Sequence, residues 1–126
     1  MLQAKLHRVT ATQTEVGYEG SVAIDSTLMA AADIKEFQAI DIYNVDNGER
    51  FSSYAVAAEK GSGTIAVLGA AARRVAIGDI LIICTYSAYD ESECENHQPH
   101  LIYVDEKNSI THTHNGCIDE PACVVV

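Results

Sequence analysis

Alternation between apolar and polar positions dominates the first 86 residues, and it predicts strands. In "LQAKLHRVT", residues 2 to 10, Leu2, Ala4 and Leu6 fall on one side and Gln3, Lys5 and His7 on the other, the period of a half-buried strand. Asp25 and Ser26 stand ready as N-caps before "TLMAAAD", good helix formers that predict a short helix. "AIDIYNV" (Ala39 to Val45) alternates again, "DNGE" (Asp46 to Glu49) carries a hairpin signal, and "RFSSYAVAA" (Arg50 to Ala58) returns as a strand. On that strand Arg50, Ser52, Tyr54 and Val56 share a face. "KGSG" (Lys60 to Gly63) turns into "TIAVLGAAA", and "IGD" (Ile77 to Asp79) turns into "ILIICTY". Beyond Tyr86 the pattern loosens: "HLIYVDE" (His100 to Glu106) is the expected last strand, and residues 107–126 are expected to form a flexible tail. Several short strands with one short helix predict a mainly β fold, a small barrel.

With 126 residues the chain suits a single domain spanning residues 1–126. Its 48% hydrophobic content is that of a globular protein, and its longest apolar runs, "AVLGAAA" and "ILIIC", are strand-sized. A membrane span is therefore not expected. The N-terminus alternates from its second position and offers no apolar core for a signal peptide, so a cytoplasmic location is expected. In that setting Cys84, Cys94, Cys117 and Cys123 are expected as free thiols. Net charge is −10, with eight acidic residues against one basic between residues 90 and 126, which disfavours nucleic acid as a partner. No internal repeat, P-loop or dinucleotide fingerprint is present.

The candidate chemistry starts at "YEGSVAID", Tyr18 to Asp25, where Gly20 precedes Ser21. As a triad nucleophile Ser21 lacks the G-x-S-x-G elbow. As a turn residue it needs no further role. The third reading uses the glycine: Gly20 tolerates backbone conformations that let the Ser21 hydroxyl attack the preceding carbonyl, an N-to-O acyl shift. Arg50 suits a dicarboxylate substrate, because a planar guanidinium grips a carboxylate through two parallel bonds. Tyr54 lies four residues along the same face, roughly 13 Å away between Cα atoms.

"LQAKLHRVT", "YEGSVAID", "NVDNGERFSSYAVAAE" and "GAAARRVAIGD", in that order across roughly residues 1 to 105, resemble the pyruvoyl-dependent aspartate 1-decarboxylases. The resemblance implies a six-stranded double-psi β-barrel with short helices, assembled as a homotetramer with active sites shared between neighbouring subunits. It implies an inactive proenzyme that cuts itself between Gly20 and Ser21. The products would be a β chain of residues 1–20 and an α chain of residues 21–126, headed by a covalent pyruvoyl group derived from Ser21. No metal or external cofactor is then expected. L-Aspartate would condense with the pyruvoyl group as a Schiff base and leave as β-alanine and CO2, the β-alanine feeding pantothenate biosynthesis. Under the same resemblance Tyr54 quenches the carbanion with a proton, and Lys5 adds a second cation beside Arg50. Ser53 presents a hydroxyl where the family usually has Thr, while Gly69, Ala70 and Ala71 let backbone approach the substrate. Tyr18 and His7 take supporting positions near the cleavage loop.

Two rival readings stay open: a pyruvoyl decarboxylase of another amino acid, and an unprocessed barrel that serves as a binding module with Ser21 inert. One departure bears on them. Where the family commonly has an amide before Gly-Ala-Ala-Ala, this chain has Leu68, which predicts slow self-cleavage and leaves room for a maturation helper protein. His97, His100, His112 and His114, with Cys94, Cys117 and Cys123, match no standard zinc spacing, and no metal is expected there.

Overall fold

The computed structural model describes residues 1–115. The described residues form nine strands: β1 (Leu2–Thr10), β2 (Gln13–Glu15), β3 (Ser21–Asp25), β4 (Ala39–Asn44), β5 (Arg50–Ala58), β6 (Ile65–Leu68), β7 (Ile80–Tyr86), β8 (His100–Val104) and β9 (Ile110–Asn115), of which β2, β3 and β9 were not expected from the sequence. Two short α-helices, α1 (Ser26–Ala32) and α2 (Glu91–Cys94), and a 3-10 helix (Gly69–Arg74) complete the described elements. The fold is mainly β, as expected. Nine strands rather than six are hydrogen-bonded in the order β2-β6-β3-β5-β4-β7-β1-β8-β9. That order does not close on itself, and it is compatible with a barrel-like arrangement.

Burial follows the alternation. Leu6, Ile24, Ile40, Ile42, Ile65, Val67, Leu81, Ile83 and Ile102 fill one core together with Leu28 of α1. On β1 the alternation skips a beat: Arg8 takes a φ of +60°, the pairing with β7 shifts between Leu6 and Val9, and both of those residues stay buried. This is a β-bulge, an extra residue that keeps the strand's apolar side on the core.

Three sequence expectations are corrected. "GAAARR" leaves the strand and winds into the 3-10 helix, because Gly69 turns the chain with a φ of +78°. "HLIYV" is not the last strand, and residues 110–115 are not tail: β9 pairs antiparallel with β8, matching Ile102 with Thr113 and Tyr103 with His112. The His112 ring stacks on Tyr103 at 4.4 Å between centroids, a cross-strand pair that supplies the burial missing from "THTHN" itself. Residues 116–126, with Cys117 and Cys123, lie outside the described residues.

Asp25 ties the start of the site to the rest of the molecule. Its Oδ1 accepts from the N–H groups of Thr27 and Gly61, at 2.8 and 2.9 Å, and its Oδ2 accepts from the Gly63 N–H at 2.9 Å. Burial raises the carboxyl's pKa, but the bonds from Gly63, Thr27 and Gly61 outweigh it and hold it below its ordinary value. A carboxylate depressed in this way stabilises the fold above its unfolded pKa of about 4, and that contribution is lost as pH falls through the folded value. Asp25→Ala is therefore expected to lose about 3 kcal/mol at pH 7, with the gap to the parent narrowing below about pH 4. Urea melts at pH 7 and pH 3 check this, and an equal gap at both would remove Asp25 from the role.

Candidate active site

Ser21 opens β3 and is only 6% exposed, whereas Gly20 before it is exposed. Antiparallel pairing sets Ser21 directly against Leu68, the last residue of β6. The chain then turns at Gly69, which packs onto the peptide ahead of Ser21. A Cβ on Gly69 would stand 2.6 Å from the Gly20 Cα and 2.7 Å from the Gly20 nitrogen. No real Cβ is tolerated at such distances, so Gly69 is required both for its φ and for its missing side chain.

Gly20 differs from expectation. It is not among the positive-φ glycines, and a Cβ there would meet nothing within 4 Å. The left-handed backbone beside this segment belongs to Gly69, which packs against the Glu19–Gly20 peptide from the start of the 3-10 helix.

The parallel register of β3 and β5 places Val22 against Ala55. Continued backward, it sets Ser21 level with Tyr54 and Gly20 level with Ser53. Ser21 and Tyr54 alternate with the buried Val22 and Ala55, so both lie on the side of the sheet away from the core. Ser53 is half-buried on the other side, in register with Ile40.

Further along the same outer face, one row crosses four strands: Ser52 opposite Asp41, Asp41 opposite Cys84, and Cys84 opposite Lys5. The Ser52 hydroxyl donates to Asp41 at 2.7 Å. Arg50 pairs with Tyr43 and lays its guanidinium over the Tyr43 ring, 3.9 Å from the centroid. Stacking on the face leaves the in-plane N–H donors of Arg50 turned outward. The Tyr43 hydroxyl meets that of Tyr86 at 2.8 Å, and this bond, with burial, drives the Tyr86 pKa upward. Burial likewise pushes the Cys84 thiol pKa up.

Ser21, Tyr54, Arg50 and Lys5 thus share one face. Ala70 and Ala71 stand apart, on the 3-10 helix, where they line a cavity of about 580 Å³ with Phe51, Ser52, Arg73 and Arg74. That helix is held by Asn44, a buried residue not anticipated from the sequence, whose amide donates to the Arg74 carbonyl at 3.0 Å and to Asp79 at 2.9 Å. Its only sequence signal is an Asn opening the hairpin, since the Asn44 Oδ1 also accepts from the Asp46 N–H. Tyr18 is 65% exposed and borders a second cavity with Leu68 and Ala23. His7 points elsewhere: it meets the edge of Tyr103 at 5.4 Å, and burial, with Lys5 and Arg8 nearby, lowers its pKa. Among the described residues, no group of three or more His, Cys, Asp or Glu side chains is arranged to hold a metal ion, and no helix is long and apolar enough to cross a membrane.

A family model described as aspartate decarboxylase matches residues 1–111. The aspartate 1-decarboxylase of Methylobacillus flagellatus is 59% identical over 110 residues, covering 87% of each chain. That of Cellvibrio japonicus is 55% identical over 92% of each, and that of Chromobacterium violaceum is 50% identical over 97% of each.

Proposed function

The chain belongs to the aspartate decarboxylase family, and on that footing we propose that it converts L-aspartate to β-alanine and CO2 for pantothenate biosynthesis, after cutting itself at the Gly20–Ser21 bond. The observation that carries this reading is the junction of Gly20, Ser21 and Gly69: a buried serine beside a peptide held against a glycine that no other residue can replace.

In the cut, the Ser21 Oγ attacks the Gly20 carbonyl and its proton passes to the Ser21 nitrogen. The amide C–N bond breaks as the ester C–O bond forms. Ser53, whose hydroxyl stands where the family usually has Thr, is the proposed side chain to contact the reacting centre. Loss of the Ser21 Cα proton then breaks the Cβ–O bond, which releases residues 1–20 with a free Gly20 carboxylate. Water adds to the dehydroalanine left at position 21, and ammonia departs.

The pyruvoyl group that heads residues 21–126 supplies a ketone electrophile for the substrate's amine and a sink for the electrons left when CO2 departs. Arg50, with its face stacked on Tyr43 and its edge free, binds the side-chain carboxylate of aspartate. Lys5, in the same outer row as Ser52 and Cys84, adds a second positive charge. Tyr54, level with Ser21, delivers the proton to carbon. Gly69 holds the junction, and Ala70 and Ala71 keep the neighbouring cavity open to substrate. The open face and the separation of that cavity from Tyr54 suit a homotetramer in which a neighbouring subunit completes each site.

Denaturing mass spectrometry after warm incubation tests the reading. Two chains, of residues 1–20 and 21–126, with the second beginning in a pyruvoyl group, are expected. A chain that stays intact at 126 residues would instead favour an unprocessed binding module.

Leu68 sets the pace. It faces Ser21 across the β3–β6 pair and offers no hydrogen bond to the developing oxyanion. One missing donor at such a centre typically costs about 3 kcal/mol, on the order of a hundredfold in rate. Leu68→Asn is therefore expected to speed self-cleavage toward that limit, and slow cleavage in the parent is the step on which a maturation helper protein would act. Gel time courses of both precursors from a common start decide it; equal rates would show the amide to be dispensable here.

A further inference from the structure

Phe37 occupies the third position of a turn from Lys35 to Gln38, closed by the Gln38 N–H donating to the Lys35 carbonyl at 3.1 Å. Its φ is +68°, left-handed backbone that turns of this kind normally assign to glycine or asparagine. A phenylalanine there is strained in every folded molecule. Burial does not explain its presence, because 71% of the residue is exposed. The turn is pinned to β5 just beyond Tyr54. The Phe37 N–H donates to the Ala55 carbonyl at 2.7 Å, the Ala55 N–H to the Gln38 carbonyl at 3.0 Å, and the Ala57 N–H to the Glu36 carboxylate at 2.6 Å. These bonds fix the Phe37 ring beside Tyr54, with centroids 6.2 Å apart and planes inclined at 45°, within the range of aromatic contact.

We infer that Phe37 is a positioning residue, a strained aromatic wall that holds the Tyr54 ring in the orientation from which its hydroxyl reaches the substrate carbon. The inference rests on the proton-donor role proposed for Tyr54. A phenol that must protonate one carbon loses efficiency when its ring swings, and Phe37 restricts that swing while keeping water from one side of the ring.

The test uses the mature, self-processed enzyme. Phe37→Asn relieves the backbone and removes the wall, so Tm and kcat should move in opposite directions. Tm should rise by about 4 °C, and kcat should fall about tenfold. KM and the rate of self-cleavage should stay unchanged. Phe37→Tyr, which keeps the ring, should retain the parent kcat. In a Tyr54→Phe background, Phe37→Asn should add no further loss in kcat, since there is no proton left to aim. A normal kcat in Phe37→Asn, or a fall in Tm showing that the ring contributes packing, would overturn the inference while leaving Tyr54 in place. A Tyr54→Phe protein that turns over at the parent rate would overturn the proton-donor role, and this inference with it.

Discussion

Ser21→Ala is expected to leave one uncut chain with no decarboxylase activity, whereas Tyr54→Phe is expected to cut itself normally and then turn over about a hundredfold or more slowly. The split follows from what each side chain supplies. Ser21 provides both the attacking oxygen and the carbon skeleton of the electrophile, so its loss removes the reactive group itself. Tyr54 acts only after that group exists, and a positioned general acid contributes roughly 10²- to 10⁴-fold. The two residues lie level on adjacent strands, so either substitution disturbs the same outer surface and leaves the core packing of Val22 and Ala55 alone. Mass spectrometry of the purified proteins, paired with β-alanine production, separates the outcomes. A cut Ser21→Ala chain would remove Ser21 as nucleophile, and undiminished turnover in Tyr54→Phe would remove Tyr54 as proton donor.

Gly69→Ala is expected to block maturation almost as completely while leaving the protein folded. The added methyl would lie 2.6 Å from the Gly20 Cα, so either the Glu19–Gly20 peptide, which leads into the cleaved bond, or the start of the 3-10 helix must shift. A shift of about 1 Å at a reacting centre typically costs on the order of a hundredfold in rate. The left-handed φ adds a further penalty of about 1–2 kcal/mol in stability. Gly48→Ala separates the two effects. Gly48 has a φ of +75°, close to the +78° of Gly69, but nothing stands within 4 Å of its would-be Cβ. It should lose similar stability and still cut itself at the parent rate. Cleavage time courses with thermal melts of both variants test this, and equal cleavage in the two would dissociate Gly69 from processing.

Much of the fold was legible because its signals are local. Alternation marked β1, β4 and β5, and a short apolar run after a turn marked β7, all close to their observed limits. Asp25 was recognisable as a cap, since an Asp ahead of good helix formers has a backbone N–H within reach whatever the rest of the chain does, and the Thr27 N–H is the one it takes. Strand β9 was not legible, because "THTHN" alternates polar with polar and becomes a strand only against the Tyr103 face of β8.

For the site, the residue types were readable and their arrangement was not. Residue types singled out Gly20, Ser21, Arg50 and Tyr54, and the family resemblance added Lys5, Ser53 and the Gly69 to Ala71 stretch. That Ser21 stands level with Tyr54, that Leu68 faces Ser21, and that Gly69 rather than Gly20 carries the unusual backbone all depend on the pairing of distant strands. Phe37 was invisible for the same reason, its position beside Tyr54 being fixed by bonds to Ala55 and Ala57. By itself the sequence determined where most of the strands form and which face of each of these is apolar, properties settled within a few neighbouring residues. Register was decided only by the tertiary structure, because a slip of one residue would turn a whole strand's apolar side to water, and the shared core sets that penalty.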